Sequence, residues 1–119
     1  MQKFSDNQVA LISGGTSGIG FATAELLLKQ GWCVVINGRN EWDGQEAVVK
    51  LRRISSKVRF VQGDVSKVMN CRRIVEDTVR LFGNLNALVT AAGYYEERLL
   101  DDVDEQNFDE MFGTNVKGT

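Results

Sequence analysis

Ser13-Gly14-Gly15-Thr16-Ser17-Gly18-Ile19-Gly20 separates an apolar run, Val9-Ala10-Leu11-Ile12, from a helical pattern that continues through Phe21 to Lys29 without a breaker until Gly31. That succession reads as strand, tight turn, helix. Gly14, Gly18 and Gly20 supply positive φ where the backbone must turn, room for close approach, and contact between helix and strand. Such a turn directs free backbone N–H groups and the positive end of the helix dipole at one spot, which suits a phosphate or pyrophosphate. The spacing G-x-x-x-G-x-G matches neither the phosphate-binding loop of NTPases, since no lysine follows, nor the G-x-G-x-x-G dinucleotide pattern. A tight connection without a ligand is the competing explanation.

Working outward, the chain alternates strand and helix. Strand one is expected at about Gln8 to Ser13, and helix one at Gly18 to Gln30 with Gly31 as its C-terminal cap. Trp32 to Ile36 is a continuous apolar run, as in a strand buried on both faces of a parallel sheet. Asn40 can cap a second helix reaching about Ile54, with Ala47, Val48, Leu51 and Ile54 as its stripe. Val58 to Val61 forms a third strand, and Ser66 can cap a third helix running to Phe82 through Met69, Ile74, Val75 and Val79, with Gly83 stopping it. Leu85 to Thr90 is a fourth strand. The acidic run Asp101-Asp102-Val103-Asp104-Glu105 reads as the start of a further helix that carries Phe108, Met111, Phe112 and Val116. This alternation predicts an α/β fold, a doubly wound parallel sheet with right-handed crossovers. Ligands of such sheets sit at the carboxyl ends of the strands. Here those ends are Ser13 to Gly20, Asn37 to Asn40, Gly63 to Val65 and Thr90 to Gly93, all polar or glycine-containing.

Composition narrows the classes. A chain of 119 residues with 43% hydrophobic content can bury the core of one domain, and 14 basic against 16 acidic residues leave a net charge of −2. That balance gives no footprint for nucleic acid or an anionic membrane. No apolar run approaches the roughly 18 residues needed to cross a bilayer, and Met1 to Asn7 lacks a signal-peptide core. Cys33 and Cys71 have no C-x-x-C spacing, which favours a reduced, cytoplasmic protein with idle thiols over a disulfide or metal site. With no histidine in the sequence, a His base, triad or metal ligand is excluded within this chain.

From Val9 to Thr119 these residues resemble the amino-terminal half of a short-chain dehydrogenase/reductase. The opening motif of that family, Thr-Gly-x-x-x-Gly-x-Gly, stands here with Ser13 keeping the hydroxyl. Gly63-Asp64-Val65 matches the segment whose Asp and following backbone hold the adenine ring. Thr90-Ala91-Ala92-Gly93 stands where the family has Asn-Asn-Ala-Gly; both asparagines are lost, while the Ala-Gly backbone that lines the ribose is kept. Asn115-Val116-Lys117-Gly118 matches Asn-x-x-Gly, in which the Asn supports a catalytic proton relay. The resemblance implies a Rossmann-like fold of about four strands in the order 3-2-1-4. It also implies a nicotinamide dinucleotide held by Ser13, Gly14, Thr16, Ser17, Gly18, Ile19, Gly20, Asp64, Val65, Ala91, Ala92 and Gly93.

An acidic residue about twenty positions beyond the glycines would bind the ribose hydroxyls and repel a 2′-phosphate. Gly38-Arg39 occupies that place. A planar, always charged guanidinium suits a phosphate, with Asn37 and Asn40 as further donors, so NADP(H) is expected over NAD(H). An ordinary surface charge at Arg39, a turn residue at Asp64 and a helix-bending residue at Asn115 are the plainer readings of the same positions. Trp32 and Trp42 read as packing groups, and Tyr94 to Arg98 as a solvated loop.

The catalytic Ser and Tyr-x-x-x-Lys that the resemblance implies are absent: four residues beyond Tyr94 and Tyr95 stand Arg98 and Leu99. The chain therefore reads as an incomplete domain that binds NADP(H) and does not turn over carbonyl or alcohol substrates alone. A stand-alone, non-catalytic binding or interaction module is the alternative. An exposed fourth-strand edge and the C-terminal helix would make it a homo-oligomer.

Overall fold

The computed structural model describes residues 8–93 and 99–119. The readings of Met1 to Asn7 and of the Tyr94 to Arg98 loop lie outside these residues. Four strands, β1 (Val9–Ser13), β2 (Cys33–Gly38), β3 (Val58–Gln62) and β4 (Ala87–Thr90), form one sheet in the order β3-β2-β1-β4. All three pairings are parallel. The expected fold class and strand order are therefore what the chain adopts.

The sheet divides the core by the two-residue period of its strands. Ile12, Val34 and Ile36 face one side with Ala24 and Leu28 of α1 (Gly18–Lys29) and Ala47, Val48 and Leu51 of α2 (Glu41–Leu51). Leu11, Val35 and Val61 face the other, with Val65 and Ile74, the latter on α3 (Val68–Phe82). Each Val, Leu or Ile side chain so removed from water contributes roughly 1.5–3 kcal/mol before entropy is counted. β4 is tied to β1 at its entry, where the Val9 N–H donates to Asn86 Oδ1 at 2.8 Å.

Glycine ends the helices as expected at Gly31 and Gly83, both with φ +91°. Three expectations need correction. Ser66 does not cap α3: Lys67 is the N-cap residue, without a side-chain bond, while the Ser66 hydroxyl donates to Asp64 Oδ1 at 2.7 Å. α2 ends at Leu51, and Ile54 reaches the core from the turn that follows. Trp32 packs against the core, but Trp42, in the first turn of α2, is 73% exposed because that turn faces away from the sheet.

The stripe predicted on α3 is mostly uncovered among the described residues: Ile74 is buried, whereas Met69 is 77% exposed and Val75 and Val79 are also exposed. Among the described residues strand β4 pairs on one side only, and Leu88 on it is 57% exposed. A 3₁₀ turn at Leu100–Asp102 leads to α4 (Glu105–Phe112), which Asp104 caps through a reciprocal bond pair with Asn107. None of the residues of α4 is buried; Phe108 and Phe112 stack on each other at 4.2 Å. A π-helical turn, Gly113–Lys117, follows it.

Candidate functional site

The four strand ends converge on a crevice of about 460 Å³. From the glycine turn it is lined by Gly14, Thr16, Ser17, Gly18 and Ile19; from β2 and its loop by Asn37, Gly38, Arg39 and Asn40; from β3 by Gly63, Asp64 and Val65; and from β4 by Ala91, Ala92 and Gly93. Asp43 and Thr114 complete the lining.

Close backbone contact builds this crevice. Gly14 has φ +68°, and a Cβ there would lie 2.5 Å from the Ala92 main chain, so the turn rests directly on the end of β4. A Cβ on Gly20 would overlap the Gly14 carbonyl, which is why helix α1 can start so near the turn. Gly18 has φ +58° and nothing within 4 Å of the position a Cβ would take; it presents bare backbone to the crevice. Ser17, the N-cap of α1, makes no side-chain cap bond, and the first turn carries no acid. The orphan N–H groups and the dipole of this helix are therefore left for an anion. These features fit a dinucleotide pyrophosphate.

Ser13, Gly20 and Asn115 do not line the crevice but lie beside it. Ser13 is buried beneath the turn, where its carbonyl accepts from the Ala91 N–H at 3.0 Å. Asn115 lies in the π-helical turn, and its Oδ1 is 3.4 Å from the place of a Cβ on Gly93. Its Nδ2 is 3.9 Å from Met111 Sδ.

At the far side, Asn37 is 1% exposed, and its Nδ2 donates to the carbonyls of Val61 at 3.0 Å and Gly63 at 3.1 Å. Both amide hydrogens thus hold β3 to β2, and neither is directed at a ligand. Asn40 accepts from the Asp43 N–H at 3.0 Å and caps α2. Arg39 is exposed, and among the described residues no hydrogen bond or ion pair engages its guanidinium. Burial pushes the Asp64 carboxyl upward, but the bonds from the Ser66 hydroxyl and N–H, then the charges of Arg39 and Lys67, outweigh it and bring the pKa below its ordinary 3.8. Asp64 is thus a stably ionised acceptor beside a cation. Gly38 and Gly63 fall within the strand ends and motifs read from the sequence without being expected to hold the ligand, and Asp43 and Thr114 were not expected at the crevice. Gly38 is adjacent to Arg39 and so had a local signal; Thr114 reaches the crevice only through the placement of the turn after α4.

The family model of the short chain dehydrogenases matches residues 8–119. The chain belongs to that family. It is 37% identical over 114 residues to an uncharacterized oxidoreductase of Methylorubrum extorquens, covering 95% of this chain and 46% of the relative. Two solved structures align with it closely. An actinorhodin polyketide ketoreductase with NADPH gives a TM-score of 0.90 at 28% identity, covering 96% of this chain and 44% of that one. An NADH-dependent reductase complexed with NAD gives 0.84 at 29%, covering 99% and 50%. The chain spans under half the length of the curated relatives it matches. Among the described residues no helix is long and apolar enough to cross a membrane, and no cluster of metal-ligating side chains occurs.

Proposed function

We propose that this chain is the nicotinamide dinucleotide-binding portion of a short-chain oxidoreductase, folded as one domain and selective for NADP(H) over NAD(H). The observation that carries this reading is the crevice in which an open helix N-terminus, bare glycine backbone and an unengaged Arg39 line one cavity. Gly14, Thr16, Ser17, Gly18 and Ile19 hold the pyrophosphate. Asp64 and Val65 hold the adenine, and Ala91 to Gly93 line the ribose. Arg39, with Asn40 beside it, takes the 2′-phosphate. The dinucleotide supplies or accepts the hydride; these residues bind and orient it. Asn115 is a positioning residue near Gly93, and the sequence holds no Tyr-x-x-x-Lys to donate a proton. Cys33 and Cys71 stand as thiols and not as a disulfide, which favours a cytoplasmic setting. The one-sided pairing of β4 and the exposed apolar face of α4 favour a homo-oligomer.

Equilibrium titration of the 119-residue chain with NADPH and NADH tests this reading. NADPH is expected to bind more tightly, and Arg39→Ala to weaken NADPH by at least about tenfold with little change for NADH. No binding of either nucleotide removes the proposed function. Equal loss of both on Arg39→Ala removes the selectivity.

A further inference from the structure

Arg39 sits on a short connection whose other members are all held. Asn37 is bonded to β3 through its side chain, Gly38 accepts from the Gly63 N–H at 3.0 Å, and Asn40 caps α2. For Arg39 itself the tether is the Gln62 side chain, whose Nε2 donates to the Arg39 carbonyl at 2.9 Å. Gln62 is in turn fixed from behind: its own carbonyl accepts from Arg73 Nη2 of α3 at 2.6 Å. A chain of contacts therefore runs from α3 through the last residue of β3 to the main chain beneath the unengaged guanidinium. Gln62 is exposed and lines neither the crevice nor the wider cleft between Arg39 and α4, so it acts on a ligand only through Arg39.

We propose that Gln62 is a positioning residue for cofactor selection, holding the Arg39 main chain so that the guanidinium is presented to the 2′-phosphate. This rests on the NADP(H) reading above. A long cation on a loose connection must be ordered when it meets a phosphate; a fixed main chain removes part of that ordering cost before binding. The effect is confined to ligands that carry the 2′-phosphate, because nothing else in the crevice depends on the Gln62 amide.

The test measures dissociation constants of NADPH and NADH for the 119-residue chain, Gln62→Met, Arg39→Ala and the double variant. Gln62→Met keeps the side-chain length and removes the donor. It is expected to weaken NADPH about fivefold and NADH by less than about twofold. In the Arg39→Ala background the same change is expected to leave NADPH affinity unaltered, since the coupling passes through that residue. Equal losses for the two nucleotides, an unchanged NADPH affinity in the single variant, or the same loss without Arg39 would each overturn the proposal. Where Gln62→Met does not fold, Gln62→Ala carries the comparison. A parent chain that binds neither nucleotide, or prefers NADH, overturns the nucleotide reading itself and this inference with it, before any variant is measured.

Discussion

Helices α1 and α2 both follow a parallel strand, both begin at the carboxyl edge of the sheet, and both bury one face in the same core cluster. Their first turns are opposite. In α2, Asn40 accepts from the Asp43 N–H, and Glu41 and Asp43 place carboxylates beside the dipole. In α1, Ser17 makes no side-chain cap bond and no acid stands in the first turn. A helix that satisfies its own N-terminus is more stable and presents nothing to an anion. One left open gives up about 1 kcal/mol of capping and keeps its donors for a ligand. The difference is the reason for proposing the anion site at α1 and not at α2, since the glycine turn also clears the approach there.

The largest expected effect comes from making the same substitution in each helix. Gly20→Ala places its methyl on the Gly14 carbonyl, with Gly15 Cα 3.0 Å away, so main chain must move and the turn must open. A cost of about 2–3 kcal/mol in unfolding free energy and at least tenfold loss of both nucleotides is expected. Gly44→Ala in α2 has the Phe60 ring, a side chain and not main chain, as its nearest obstacle, so it is expected to cost stability while nucleotide affinity holds. Urea unfolding with NADPH titration of the two variants decides it. Similar nucleotide losses from both would mean that the tight backbone contact at α1 has no special place in binding.

That contact was legible in the sequence because only a glycine tolerates it, and the spacing of Gly14, Gly18 and Gly20 marks it from the outside. The strands were legible for a related reason: Val9 to Ile12 and Cys33 to Ile36 are apolar without alternation, as burial on both faces requires. What stayed hidden depends on tertiary partners. A helical stripe such as Met69, Val75 and Val79 gives a face but not what covers it. Asn37 looked like a donor to a ligand, yet its amide bonds two carbonyls on β3 that no local pattern announces. Ser66 has the residue type of a cap, but Asp64 two positions earlier captures both its hydroxyl and its N–H. Gln62 gave no signal, because its contact with Arg39 spans 23 positions between different strand ends.

The comparison is sharpened by exchanging the caps. Ser17→Asp gives α1 the kind of end that α2 already has. The free chain is expected to gain about 0.5–1 kcal/mol, because a carboxylate accepts from an orphan N–H and lies at the positive end of the dipole. Affinity for NADPH and NADH is expected to fall together by about tenfold, since both bring a pyrophosphate to that place. Asn40→Ala is the reverse operation on α2 and is expected to destabilise the fold by about 1 kcal/mol. Thermal unfolding of both variants, with nucleotide titration of the first, gives the readout. A Ser17→Asp chain that binds as the parent does would place the anion elsewhere.

The smallest effect concerns Asp64, the crevice acid whose charge Arg39 and Lys67 favour. Both bonds from Ser66 fall on Asp64 Oδ1, and Arg39 and Lys67 add favourable charge, so ionised Asp64 is held where an acid in the first turn of α1 would repel the ligand. Its pKa is lowered on folding from 3.8, which means that the unfolded chain binds the proton more readily than the folded one. Ionised Asp64 therefore contributes stability that is fully present above 3.8 and is lost as pH falls through the lowered folded value. Asp64→Asn removes this titration. The parent is expected to be the more stable of the two near about pH 6, with the gap narrowing below about pH 4. Since the carboxyl is only partly buried, solvent screens these charges and the change is smaller than that from either helix cap. Paired acid unfolding curves measure it. A gap that stays constant down to about pH 2.5 would show that Asp64 holds its turn by shape and not by charge, leaving Arg39 without a fixed counter-ion in the crevice.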